Sequence, residues 1–305
     1  MYQSNINLNL YKTFYDVAKC GSISKAAQKS YTSQPAISKS IKKLEEELGV
    51  QLFYRNLNGV ELTDRGQDLL YFVEKSFNNL IIAERNMLET ENLERGKLSI
   101  GMPSNVGSFF LFDKIMDFHK RFPNIEITII TGSTSNLISL LDTHKVDFVI
   151  DTSPINVRLD EGVKVIKLKE VQYCFIIKKG SVLLDASSIN SLDDLKKHPL
   201  ILPIPGTANR NDLDDVLKKN DIDIQNAINI HTSEMIISAV KKDLGIGYVI
   251  HNLVENEIDN NEIEVLKLKE TLPTVEINIL YDNHFLTTAP KKFIEEYIDY
   301  DLELY

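Results

Sequence analysis

Between positions 33 and 43 the chain carries Ser33, Gln34, Pro35, Ser38, Lys39, Lys42 and Lys43. Read as a helix, the segment sets Ile37, Ile41, Leu44 and Leu48 in one apolar stripe and leaves those residues outside it. Glutamine can pair with a base edge in the major groove, while serine and lysine can hold phosphates. The chemistry on offer is recognition of duplex nucleic acid. A small helical domain with a basic outer face would show the same spacing, so this stretch alone leaves both readings open. Charge leans the same way. Residues 1–66 hold nine basic and six acidic residues, a net +3, and the remaining 239 hold 25 basic and 38 acidic, a net −13. A small basic module on an acidic body holds polyanions at one end, although +3 also fits a solvated surface.

The elements that must position these residues can be read outward from them. Leu8, Leu10, Phe14 and Val17 predict a first helix ending near Gly21. Ser22 can cap a second, shorter helix with Ala26 and Ala27 on its packed side, and Tyr31-Thr32 makes a turn. Ser33 then caps the third helix, where Pro35 is tolerated in the first turn, and Gly49 stops it. Two short helices joined by a tight turn form a helix-turn-helix. Residues 52–55 and 60–62 can pair as a hairpin through Asn58-Gly59, which makes a wing and puts Arg55 beside the DNA backbone or minor groove.

The run Phe14-x-x-Val17-x-x-x-Gly21-Ser22-x-Ser24-x-Ala26-Ala27, then Ser33-Gln34-Pro35-Ala36-Ile37-Ser38, then Ile41-x-x-Leu44-Glu45-x-x-Leu48-Gly49-x-x-Leu52-Phe53-x-Arg55 and Val60-x-Leu62-Thr63-x-x-Gly66 resembles the winged helix-turn-helix of LysR-type transcriptional regulators. About twenty-five positions agree over roughly fifty residues, and the likeness extends more loosely over the whole chain. It implies a bacterial homodimer or homotetramer that grips an interrupted palindrome of double-stranded DNA, with RNA polymerase as a further partner. By the resemblance, Gln34, Pro35 and Ser38 approach bases, while Ser33, Lys39 and Arg55 lie along the backbone or minor groove; Lys42 joins them from the helix pattern. Two positions depart from the family. Ser30 replaces the usual Leu, with Tyr31 expected to compensate, and Asn58 replaces a frequent basic residue of the wing.

Thr63 caps the next segment, which runs from Gln67 to Arg95 without Pro or Gly. Leu70, Val73, Phe77, Leu80 and Met87 recur at coiled-coil spacing if Glu84 is counted as an interrupted seam position. A helix of about 27 residues spans roughly 40 Å. The segment is read as a dimerising linker; packing on its own domain is the alternative.

After Arg95-Gly96, strand-like and helix-like segments alternate, which predicts an α/β body with parallel strands. Such sheets bind ligands at the carboxyl ends of their strands. Ser104-Asn105, Ser133-Thr134 and Thr232-Ser233 sit at such ends, each beside a helix start that favours anions. Each pair could equally be an ordinary helix cap. The body resembles the family's two-lobed, periplasmic-binding-protein-like effector domain, with crossovers near Glu170 and Leu272. The resemblance places Ser104, Asn105, Ser133 and Thr134 on one wall of the cleft, Pro205, Thr207 and Thr232 on the other, and Ser153 near the first crossover. The expected ligand is small and polar or anionic, with Asp151 near the mouth weighing against strong negative charge.

The expected organisation is therefore α/β. A winged helix-turn-helix DNA-binding domain covers 1–66, a linker helix 67–95 and an effector-binding domain 96–305. Lobe I takes about 96–170 and 273–305, and lobe II about 171–272. Enzymatic chemistry finds no motif: there is no nucleophile elbow and no phosphate loop, and Ile250 stands where a dinucleotide fingerprint would need its third glycine. No cofactor or metal is expected from the scattered histidines. Two cysteines, no secretory leader and no long apolar run point to the cytoplasm and away from a membrane. The reading is a ligand-controlled, sequence-specific transcriptional regulator. The alternatives are a cytoplasmic solute-binding protein, an enzyme on the same scaffold, and a constitutive DNA binder without a working effector site.

Overall fold

The computed structural model describes the chain outside residues 1–5, 57–58, 89–92, 94, 161, 182–187, 225 and 300–305. The chain divides into two compact units, Met1–Leu88 with Asp142–Lys145, and Glu89–Leu141 with Val146–Tyr305.

The first unit begins with α1 (Leu8–Cys20), α2 (Ile23–Lys29) and α3 (Gln34–Leu48). Asn7 caps α1 by accepting the Asn9 N–H at 2.9 Å, and Gly21 ends it in the left-handed region. Leu10, Phe14 and Val17 bury one stripe of α1 against Ala26, Ala27, Ile37, Ile41 and Leu44. Leu8, expected in that stripe, is 71% exposed, since the first helical residue precedes the packed turn. The wing follows as β1 (Phe53–Asn56) and β2 (Gly59–Leu62), antiparallel with Arg55 opposite Val60. Asn58, expected in its turn, lies outside the described residues.

Helix α4 (Asp64–Leu88) starts earlier than expected. The Thr63 hydroxyl accepts the Gly66 N–H at 3.0 Å and donates to the Gln51 carbonyl at 2.8 Å. Gly66 is thereby drawn so close to the Leu52 carbonyl that a Cβ would collide with it. The expected seam divides. Leu70 and Val73 are buried in this unit's own core, and Phe77 packs edge-on against Tyr15 at 5.6 Å. Leu80 and Met87 remain exposed. The first half of the seam thus serves its own domain, because the α1 surface already covers it. Residues 89–92 and 94, the expected end of the linker, lie outside the described residues.

The second unit begins with β3 (Gly96–Met102), α5 (Ser104–Val106), a π-turn, α6 (Phe112–Arg121), β4 (Ile125–Thr131), α7 (Thr134–Asp142) and β5 (Phe148–Thr152). It continues with β6 (Val163–Lys178), α8 (Leu192–Leu195), β7 (Leu200–Pro203), α9 (Ala208–Lys219), β8 (Ala227–Ile230), α10 (Ser233–Lys241) and β9 (Ile246–Ile250). A 3-10 turn, α11 (Glu255–Asp259), β10 (Ile263–Val265), β11 (Thr274–Asp282), α12 (Thr288–Phe293) and a closing π-turn (Ile294–Ile298) complete it. The strand order is β4-β3-β5-β11-β6-β9-β7-β8, with β10 also on β6.

The parallel expectation holds within two sets. β3 runs parallel to β4 and β5, and β7 runs parallel to β8 and β9. Between them, β6 and β11 pair antiparallel, with Gln172 opposite Thr274 where the path passes from one set to the other. The first half of β6, together with β8 and β10, was not expected from sequence. The first half of β6 carries Lys164, Lys167, Lys169 and Glu170 among its apolar residues, a pattern that makes a strand only once β11 supplies its partner.

Candidate functional site

The outer face of α3 is assembled from its cap upward. The Ser33 hydroxyl accepts the Ala36 N–H at 3.4 Å, which satisfies one of the donors a helix start leaves open. The cap sets the first turn, in which Gln34, Pro35 and Ser33 are all exposed. Ser38 is half-buried, and with Ile23, Gln34 and Pro35 it lines a shallow concavity between α2 and α3. Lys39 is exposed and makes no ion pair among the described residues. Lys42 and Lys43 each lie 3.6 Å from a glutamate one turn on, Glu46 and Glu47, in pairs exposed enough to be screened. Arg55 has its backbone placed in β1.

Sequence reasoning missed what holds this face in place. The Glu45 carboxylate accepts the Leu52 N–H at 2.8 Å and the Phe53 N–H at 3.3 Å, tying the end of α3 to the start of the wing. The Val60 N–H donates to the Gly21 carbonyl at 3.1 Å, tying the wing back to the α1–α2 turn. Gly59 makes that approach feasible at a φ of +140°, where a side chain would be strained. Tyr31 does not compensate for Ser30. It is 99% exposed in the left-handed region, and Asp16 anchors α2 instead, taking Lys29 Nζ at 3.1 Å with the Ser30 hydroxyl at 3.5 Å.

In the second unit the expected effector residues fall at two sheet edges. The carboxyl ends of β3, β4 and β5 bring Ser104, Asn105, Ser133, Thr134 and Ser153 to one edge, and those of β7 and β8 bring Pro205, Thr207 and Thr232 to another. Several are engaged locally. Thr232 caps α10 through the Met235 N–H at 3.4 Å, and Thr207 donates to the Ile204 carbonyl at 2.8 Å. The Ser153 hydroxyl accepts from Asn278 Nδ2 at 2.8 Å, and its N–H donates to the Glu276 carbonyl at 2.9 Å.

Asp151 lies deeper than the mouth position expected of it. It is 1% exposed, and burial pushes its carboxyl above the usual carboxylate range, opposed by hydrogen bonds from the Thr134 hydroxyl and the Thr152 N–H. Asp212 on α9 is likewise raised, by burial and by neighbouring Asp215. Cys174 is buried in apolar surroundings, which push its thiol up to about 12 and leave it inert at neutral pH. Among the described residues no group of His, Cys, Asp and Glu could hold a metal ion, and no helix is long and apolar enough to cross a membrane.

Comparison with known proteins follows this division of the chain. Residues 8–67 match the model of the bacterial regulatory helix-turn-helix protein, lysR family, and residues 91–300 match the LysR substrate binding domain. The transcriptional regulator YofA of Bacillus velezensis is 25% identical over 279 residues, covering 91% of this chain and 93% of its own. The crystal structure of ArgP from Mycobacterium tuberculosis superposes with a TM-score of 0.72 at 17% identity, over 96% of both chains. Full-length CbnR complexed with its target DNA gives a TM-score of 0.53 at 18% identity, over 96% of this chain and 98% of that one.

Proposed function

Because this chain belongs to the LysR family of transcriptional regulators, we propose that it reads an interrupted palindromic operator through Ser33, Gln34, Pro35, Ser38, Lys39, Lys42 and Arg55. The observation that carries the reading is the first turn of α3. It is capped, exposed and polar and stands free of the domain core, while the far end of the helix is braced against the wing by Glu45. A helix presented in this way enters a major groove with its N-terminal residues at the base edges. CbnR, of the same fold, was solved on its target DNA, which supports this use of the face.

The division of labour we infer gives residues 1–66 to DNA, 67–95 to dimerisation and 96–305 to a small effector, with lobe boundaries near 170 and 272. The effector residues are Ser104, Asn105, Ser133, Thr134, Ser153, Pro205, Thr207 and Thr232. An effector shifts such a protein only through unequal affinity for two arrangements of the oligomer. The regulator acts in the cytoplasm, without enzymatic activity, and RNA polymerase is its further partner. Footprinting of the full chain on genomic fragments tests the reading. Two protected patches, related by two-fold symmetry and spaced by whole helical turns, are expected. Failure to protect any fragment in dilute buffer would overturn it.

A further inference from the structure

Asp151 leaves β5 two residues after Val149, on the sheet face that Val149 shares with Leu137, Leu141 and Leu280 under α7. The Thr134 hydroxyl, at the start of α7, bonds to it. Its Oδ1 accepts the Thr152 N–H at 2.7 Å, and its Oδ2 is buried with no hydrogen-bond partner. An ionised carboxylate oxygen buried without a donor is costly to keep, and such groups concentrate where something binds.

Among the described residues, polar groups on the adjoining strands and beyond them are committed elsewhere. Asn278, directly opposite on β11, spends its amide on Ser153 Oγ at 2.8 Å and the Glu276 carbonyl at 3.4 Å. Lys167 is held between Glu170 at 2.8 Å and Glu276 at 2.7 Å. Arg210, near the carboxyl end of β7, is spent on Asp214 and Asn229, each at 2.8 Å, and the Pro203 carbonyl at 3.0 Å.

We propose that the effector carries an ammonium group, which donates to Asp151 Oδ2, in place of the anion that the helix starts suggest. This deepens, and rests on, the reading of these strand ends as the effector site. An ammonium placed against the start of α7 meets an unfavourable helix dipole, and only the buried carboxylate offsets it. The ligand class is therefore tied to Asp151 and not to the serines and threonines around it.

Calorimetry on the full chain at neutral pH tests this with putrescine and ethanolamine, their isosteres 1,4-butanediol and ethylene glycol, and succinate. At least one amine is expected to bind, its isostere and succinate are not, and Asp151→Asn is expected to weaken the amine at least tenfold. Should that variant fail to fold, the Asp151 carboxyl resonance in the wild type decides, since it must move with the amine and stay still with the diol. Absence of amine binding, binding that survives Asp151→Asn, or equal binding of succinate would overturn the proposal. Footprinting with the same probes separates it from the reading beneath. Asp151-dependent amine binding that leaves the footprint unchanged upholds the ligand class and removes effector control. A footprint altered by succinate, with no amine bound, does the reverse.

Discussion

The Glu45 carboxylate accepts the Leu52 N–H at 2.8 Å, so the last turn of the recognition helix and the first strand of the wing share one charged hydrogen-bond acceptor. Phe53, whose N–H also points to Glu45, packs at a tilt against Phe14 with ring centroids 5.3 Å apart. The wing is thus fixed at the same place by a carboxylate and by a core aromatic. Glu45→Ala is expected to destabilise the first unit by about 1–3 kcal/mol, the range for hydrogen bonds to a charged group in a part-buried setting. Thermal unfolding of the full chain should show the loss, and Glu45→Gln, which keeps an acceptor, should recover part of it. An unchanged melting profile for Glu45→Ala would mean the contact is incidental.

Gln34 and Lys39 lie on the same exposed face but should fail differently when removed. Gln34→Ala is expected to relax base preference at one position of each half-site, at about 1–3 kcal/mol of discrimination. Lys39→Ala should weaken binding to all sequences alike and lower the salt slope by about one. Competition footprinting at several salt concentrations separates the two. Equal losses on specific and random DNA from both substitutions would remove Gln34 from the bases.

Gly66 in the first turn of α4 leaves no room for a Cβ beside the Leu52 carbonyl. Backbone cannot yield as the end of a flexible side chain can. Gly66→Ala is therefore expected to destabilise the first unit despite alanine's better helix propensity, which alone would favour it by about 1 kcal/mol. Denaturant unfolding checks the sign, and a more stable variant would contradict the packing.

What the sequence shows and hides follows the range of the interactions. The α3 stripe of Ile37, Ile41 and Leu44 is legible because one helix face meets one core. The wing is legible because its two strands are neighbours in the chain. The seam of α4 is not, since 3–4 spacing at Leu70 and Val73 shows that a face is covered without showing by what; here α1 covers it. The first half of β6 is hidden because its partner β11 lies about a hundred residues away. At the candidate sites, residue types and strand ends give the positions of Ser33, Gln34 and Thr134. They do not give the brace from Glu45, nor the depth of Asp151, because both depend on packing between distant elements.

Phe72, Leu80 and Met87 fall within one face of α4 and are 65%, 57% and 88% exposed. This face, and not the buried Leu70 and Val73, is what a second copy would cover. Leu80→Asp with Met87→Asp is expected to lower the oligomeric state seen by sedimentation, with the melting of the first unit little changed. DNA affinity should fall steeply, because half-sites are then bound singly. An unaltered sedimentation profile would move the interface elsewhere.

Asp151 also predicts a pH signature. Burial raises its carboxyl above the ordinary value of 3.8, so the folded chain holds this proton more tightly than the unfolded chain does. Stability falls with rising pH wherever the folded state binds more protons. The contribution of Asp151 is thus most favourable in acid. It declines as pH rises from about 3.8 through the raised value, and is flat beyond it. Asp151→Asn removes the proton and should remove this decline, so the stability difference between variant and wild type should grow in the variant's favour over that interval and then level off. Denaturant unfolding of both proteins across the interval measures it. A difference independent of pH would show that Asp151 titrates normally and that its burial does not hold in solution.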